Sequence, residues 1–323
     1  MIPKLIDAAL EVPIISSFTR IGYDVRSRTD SWADLDSYDL SGKVVVVTGA
    51  TSGIGLAAAH WFAKMGATLV ITGRRTEKNR AAVDEVVQRS GNERVSEVAA
   101  DMGELDQVAT LAEQVLLRHD RLDVLVHNAG ALTNPRRTTS AGTEVTVASQ
   151  VVGPFLLTQL LLERLQVTKE ARVLTMSSGG MYGASLTVRN LQMPEADYNG
   201  TKQYAIAKRA QVTLNEMWAE KFPDISFHAL HPGWVDTPGV DDALPGFGKI
   251  VGPILRTPDQ GADTLVWLGS DPTVTQSNGK FWHDRRQRSI HKLSSTRKSD
   301  TPDRRAALWE WVRAAAHADP QPG

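Results

Sequence analysis

The chain contains no cysteine. That excludes disulfides, thiolate metal sites and a cysteine nucleophile together, and any redox chemistry has to be borrowed from a bound cofactor. The same absence fits a reducing compartment, and a cytoplasmic location is the expectation. Neither sign of charge is in excess: 36 Lys and Arg stand against 37 Asp and Glu, a formal charge of -1. No bulk field therefore draws the protein to nucleic acid or an anionic membrane, and any anion site must be local. Long hydrophobic runs are also missing. The N-terminal stretch "MIPKLIDAALEVPIISSFTRIGY" is apolar in patches, but Lys4, Asp7, Glu11 and Pro13 interrupt it well short of a membrane-spanning helix. It has neither the basic start nor the compact apolar centre of a signal peptide. Residues 1–40 are expected to form a helical extension, one helix or a pair, docked on the body; peripheral membrane contact is the less favoured alternative.

The 323 residues, 41% of them hydrophobic, suffice for one large α/β domain. Apolar, β-rich runs at 43–48, 68–72, 95–100, 123–127, 172–176 and 226–231 alternate with segments of helical period at 55–65, 76–90, 105–118 and 153–165. Near-continuous apolar strands separated by helices mean a parallel sheet covered on both faces. The fold class is α/β, a Rossmann-type doubly wound parallel sheet in three α/β/α layers over residues 41–285. Residues 286–323 read as a tail with a final helix. There Thr301 caps, Pro302 takes the first position, and Leu308, Trp311, Val312 and Ala315 form a docking stripe. The basic stretch "HDRRQRSIHKLSSTRK", 283–298, reads as a solvated surface loop.

The first strand runs into "TGATSGIG". A glycine-rich turn at a helix N-terminus is an anion site, because unpaired N–H groups and the helix dipole converge there. Gly49 permits the tight turn, Gly53 lets a pyrophosphate approach the backbone, and Gly55 lets helix and strand pack closely. The next strand ends "LVITGRR", without the carboxylate that would bind a ribose 2'-hydroxyl. Arg74 stands there instead and suits a 2'-phosphate, so NADP(H) is favoured over NAD(H).

"TGATSGIG", "HNAG" (127–130), "YAIAK" (204–208) and "HPGWVDT" (231–237) occur in this order, and together they resemble the short-chain dehydrogenase/reductase superfamily. "LTMSSGGM", "AKRAQVTLNEMWAE" and "HPGWVDTPGV" resemble one narrower branch of it. Carbonyl–alcohol interconversion with a nicotinamide needs a proton donor and acceptor at the substrate oxygen. Tyr204 and Lys208 lie four apart on a helix and share a face, so the ammonium is expected to lower the phenol pKa. A serine hydroxyl at a strand end would steady the oxygen. Of Ser177 and Ser178 only one can face the pocket, and the resemblance favours Ser178. Asn128, Ala129 and Gly130 end a strand and are expected to border the cofactor. The resemblance adds Thr51, Ser52, Ile54, Asp101, Met102, Pro232, Gly233, Val235 and Thr237 to the cofactor set, and gives Tyr204 and Lys208 a place in it.

Two departures stand out: His127 replaces the first asparagine of the strand-end motif, and Gln150 replaces a helix asparagine that anchors a relay water in relatives. The long insertion 179–203 is expected to overhang the substrate pocket. The segment 238–257, with Phe247, Ile250, Ile254 and Leu255, is read by analogy as a substrate lid. Its apolar content, with Met181 and Trp234, points to a hydrophobic carbonyl or alcohol, although the same residues suit a core or a subunit contact. His228 and His231, three apart on a strand, point to opposite faces, so no metal site is expected. The main reading is an NAD(P)(H)-dependent oxidoreductase. The alternative is a dinucleotide-binding regulatory or scaffold protein with little turnover. Homo-oligomerisation is left open.

Overall fold

The computed structural model describes residues 2–11, 14–237 and 252–316. Three helices precede the sheet, α1 (Ile2–Glu11), α2 (Ile14–Phe18) and α3 (Arg20–Thr29). The chain then alternates: β1 (Val44–Thr48), α4 (Gly53–Lys64), β2 (Thr68–Gly73), α5 (Thr76–Ser90), β3 (Val95–Ala99), α6 (Leu105–Arg118) and β4 (Val124–His127). A helical run follows as α7 (Val145–Val147), a π-turn at Ala148–Val152, α8 (Gly153–Leu160) and α9 (Leu162–Val167). Next come β5 (Arg172–Met176), α10 (Gly200–Lys221), β6 (Ser226–Leu230), α11 (Pro258–Ser270), β7 (Lys280–His283), β8 (Arg286–Arg288), α12 (Ser294–Ser299) and α13 (Pro302–Ala315).

The sheet has the order β3-β2-β1-β4-β5-β6-β7-β8. Pairing is parallel from β3 through β7, and β8 returns antiparallel to β7. β1 consists wholly of β-branched residues, which suit a central strand buried on both faces. Strand alternation divides the core. Val46, Val70, Leu125 and Val173 face the layer of α6, α8 and α10, while Val45, Val47, Leu69 and Leu174 face that of α4, α5 and α11. Strand order reverses between β1 and β4, which opens a crevice at their C-terminal ends.

The tail helix α13 is capped by Thr301, whose Oγ1 accepts from Arg304 N at 3.3 Å, with Pro302 in its first turn. Leu308 and Val312 are fully buried. Trp309 packs against Phe155 and Trp218 with ring centroids 4.9 and 4.8 Å away, so the tail covers the outer side of α8 and α10. Within the insertion 179–203, Leu186, Leu191 and Met193 are buried in the core beside α10.

The reading of 283–298 as a solvated loop is corrected. That stretch holds the end of β7, a tight turn with Asp284 and Arg285 at positive φ, then β8 and α12. Its arginines meet acids from the N-terminal helices. Arg286 grips Asp30 (2.6 Å), and Arg288 takes both oxygens of Asp7 at 2.7 Å. Beneath them Asp284 binds Arg26 (2.6 Å) and Arg256 (2.5 and 2.8 Å), and all three side chains are 1% exposed. Burial opposes the Asp284 charge, but Arg256 and Arg26 outweigh it and hold the carboxyl far below the usual range. Removing one partner of a buried ion cluster strands the others, at a cost of about 3–5 kcal/mol. Asp284→Asn is therefore expected to lower the melting temperature at neutral pH by roughly 4–7 °C. Thermal denaturation followed by circular dichroism checks this, and an unchanged melting temperature contradicts it.

Candidate active site

The crevice between β1 and β4 is built from main chain. At Gly49 (φ +67°) a Cβ would lie 2.7 Å from Ala129 Cα. At Gly53 (φ +55°) it would lie 3.1 Å from Thr237 Cγ2, and at Gly55 it would run into Gly49 O and Asn128 Nδ2. Only glycine allows these approaches. Ser52 precedes α4 without a side-chain capping bond, which leaves the first-turn N–H groups facing the loop without that acceptor. Asn128 pins the loop from below, its Nδ2 donating to the carbonyls of Thr48 (3.1 Å) and Gly49 (3.0 Å). Thr48, which the sequence reading missed, joins the two strands. Its Oγ1 donates to Val126 O (3.1 Å) and accepts from the N–H groups of Asn128 (3.0 Å) and Ala129 (3.1 Å). A threonine ending a strand looks like ordinary β-propensity, so nothing local marked it. Gly-lined backbone, an uncapped helix start and bordering small residues fit the phosphates of a dinucleotide.

Around this loop the other expected contacts take varied places. Thr51 packs on Gly73 at the end of β2, and Ile54 lies against the α11 side near Gly261 and Val235. Arg74 is 71% exposed, with Nη1 4.0 Å from Asp101 Oδ2. Asp101 Oδ1 also accepts from Gly103 N (2.9 Å). Met102 turns its side chain into the core. Gly130 is exposed beside the Gln150 side chain. Pro232 O accepts from Arg256 Nη1 (3.0 Å), and Gly233 sits at φ +80°. Residues 238–251, with Phe247 and Ile250 of the expected lid, lie outside the described residues. Leu255 is buried and Ile254 half-buried.

Tyr204 and Lys208 share one face of α10, which Asn199 caps by accepting from Lys202 N (2.9 Å). Lys208 Nζ is 5.2 Å from the Tyr204 ring centroid and donates to Met176 O at 2.8 Å. Ser178 lies beside Tyr204, where its hydroxyl draws the phenol pKa down, and its Oγ accepts from Gly180 N (3.2 Å). Ser177 is buried and donates to Lys208 O (3.2 Å), so the two neighbouring serines point to different tasks. The expectation that Lys208 lowers the phenol pKa is corrected. Burial pushes Tyr204 up to about 12 against the pull of the Ser178 hydroxyl, and it pushes Lys208 down to about 7. Desolvation wins because the lysine is itself buried and loses much of its charge near neutrality.

Both departures face a second compartment. His127 Nε2 lies 2.8 Å from Thr158 Oγ1, and Thr158 already donates to Pro154 O (2.9 Å). The proton is therefore on Nε2, and Nδ1 is a bare acceptor. Burial drives the His127 pKa down to about 3, so the ring is neutral. Gln150 Nε2 donates to Ala131 O (2.8 Å), and Gln150 O accepts from Gln211 Nε2 (2.7 Å). His127, Gln150, Gln211 and Asn215 line a cavity of about 30 Å³. Each has a buried acceptor without a protein partner. The rest of the lining is largely apolar, with Val151, Phe155, Val173 and Leu214 among it, and the space is large enough for a water that these acceptors can hold. His228 and His231 go elsewhere: His228 Nδ1 accepts from Trp282 Nε1 (3.1 Å), and His231 stacks on His283 at 3.9 Å. No metal-binding group of acids and histidines occurs among the described residues, and no helix there is long and apolar enough to cross a membrane.

Residues 43–245 match the family model described as short chain dehydrogenase. The chain belongs to that family. Human dehydrogenase/reductase SDR family member 12 is similar to it at 37% identity over 286 residues, covering 88% of this chain and 90% of the relative. Human retinol dehydrogenase 11 is similar at 28% identity, covering 88% and 89%. A solved chain described as a short chain dehydrogenase of Escherichia coli CFT073, complexed with NADPH, has the same fold. Its TM-score is 0.64 at 22% identity, over 79% of this chain and 100% of the other. As a short chain dehydrogenase, the protein is an NAD(P)-dependent oxidoreductase acting on CH–OH or carbonyl groups.

The Lys208 shift has a consequence for stability. Its pKa falls from 10.5 to about 7 on folding, so the unfolded chain holds the extra proton between these values. Burying this lysine costs stability below pH 7, and the cost fades toward pH 10.5 at about 1.4 kcal/mol per pH unit. Lys208→Met should thus gain most over wild type on the acid side of neutrality, and the gain should shrink as pH rises. Melting curves of both proteins across that range test this; a pH-independent difference argues against it.

Proposed function

We propose that the protein is an NADP(H)-preferring oxidoreductase that interconverts a carbonyl and an alcohol on a hydrophobic small molecule, with Tyr204, Ser178 and Lys208 as its catalytic residues. Tyr204 with Ser178 beside it, and the Lys208 Nζ one helical turn away at 5.2 Å from the phenol ring, carries the reading. When bound, the nicotinamide would supply or accept the hydride. Tyr204, protonated at neutral pH, holds the proton that a forming alkoxide needs, and the direction is set by cofactor supply. Ser178 donates toward the same oxygen and fixes its place. Lys208, titrating near neutrality, can hold or release a proton beside the phenol.

The preference for NADP(H) rests on Arg74, exposed at the end of β2 where no carboxylate from that strand competes for a 2'-phosphate. The NADPH-bound relative of the same fold agrees with it. The apolar substrate class rests on half-buried Trp234 and on the retinol dehydrogenase relative. One observation favours the alternative of a dinucleotide binder with little turnover: Gln150, standing where relatives have the water-anchoring asparagine, spends its side-chain Nε2 on Ala131 O (2.8 Å).

NADPH consumption with a panel of apolar aldehydes and ketones separates the two readings. Tyr204→Phe should lose roughly 10²- to 10⁴-fold in kcat/KM. Equal rates in wild type and variant reject the assigned chemistry. Arg74→Ala should weaken NADPH binding about tenfold while leaving NADH nearly unchanged. Titration of both nucleotides decides the cofactor, and a uniform loss removes the preference.

A further inference from the structure

The N-terminal extension reaches the active site itself. The Phe18 ring is 5% exposed and lies against the backbone of Gly179, the residue after Ser178. A Cβ at Gly179 would sit 2.5 Å from Phe18 Cε2. From the other side Phe18 O accepts from Trp234 N (2.7 Å) and fills the space a Cβ would need at Gly233. The ring is clamped edge-on by His231 (centroids 4.5 Å apart), His283 (5.3 Å) and Trp234 (5.9 Å). Its main chain is fixed by one guanidinium. Arg256 Nη2 donates to Ser17 O (3.1 Å), Nε to Thr19 O (3.3 Å) and Nη1 to Pro232 O (3.0 Å). Arg26 secures the same segment, with Nη1 donating to Ser17 O (3.1 Å) and to Asp284.

We propose that Phe18 is a positioning residue, a wedge from outside the dinucleotide-binding domain that sets the spacing between the Ser178–Gly179 turn and the Pro232–Trp234 turn. This rests on the reaction proposed above, because Ser178 acts only if its hydroxyl stays beside the Tyr204 phenol, where both can reach one substrate oxygen. The wedge touches neither the glycine loop nor Arg74, so it bears on the Ser178 end of the site and on the Pro232–Trp234 turn, and leaves the pyrophosphate loop and the 2'-phosphate position alone. An aromatic ring suits this task. It is rigid, its position is set by three other rings, and its edge replaces the methyl that Gly179 lacks.

The full chain carries the test. Phe18→Ala should lower kcat by roughly tenfold to a hundredfold, with a much smaller change in the NADPH dissociation constant. Gly179→Ala should do the same, by driving its methyl into the ring. The pair Phe18→Ala with Gly179→Ala should recover much of the lost kcat, since the methyl then occupies the space the ring has left. A merely structural role would lower the melting temperature in each variant additively and give no recovery. Hydrogen exchange reads the wedge without turnover: Phe18→Ala should speed exchange in 177–183 and 232–236 and leave 48–56 protected. If wild type turns over no carbonyl but exchange changes as stated, the proposed reaction fails and the wedge stands. Uniform exchange, or kcat losses that add up in the double variant, would overturn it.

Discussion

Asp284 is the constraint on which the arrangement turns. A carboxylate at 1% exposure is untenable unless its charge is met, and it is met by two guanidiniums equally buried. Arg26 comes from the third helix of the chain and Arg256 from the segment after the sixth strand, and the acid itself sits in the terminal hairpin. None of the three can be buried alone, so the N-terminal extension, the loop beyond β6 and the β7–β8 hairpin have to assemble together. The cluster lies next to the Pro232–Trp234 turn, and Arg256 donates to Pro232 O directly. Charge neutralisation far from the reacting groups thus fixes one wall of the site.

The other wall owes little to charge. Thr48 and Asn128 bind only main chain, and they hold the ends of β1 and β4 at a distance that glycine alone tolerates. Polar side chains behind the crevice keep its surface clear of side chains. The contrast with Tyr204 and Lys208 is physical. Those two are placed by one helix and tuned chiefly by burial, which raises one pKa and lowers the other toward neutrality.

Most of the six readable strands are largely apolar runs, as strands covered on both faces are, while the edge strand VSEVA is only partly buried. The seventh and eighth were not readable. "KFWH" is short, and the arginines after it look solvated unless the acids that neutralise them, some 250 residues upstream, are known. Helical spacing put Tyr204 and Lys208 on one face and the ordered motifs singled the pair out, while strand alternation admitted only one of two adjacent serines and the resemblance favoured Ser178. The direction of the Tyr204 shift was not legible, because desolvation depends on what surrounds the ring. Phe18 carried no signal either: a lone phenylalanine about 160 residues before Ser178 belongs to no motif, and its meaning comes only from the glycine it abuts.

The tail helix adds one more consequence. Trp309, Leu308 and Val312 occupy the outer side of α10 while Tyr204 and Lys208 work from its inner side. α10 is therefore an interior beam. A second macromolecule could grip that outer flank only after peeling the last helix away, so the folded tail and any such embrace are mutually exclusive.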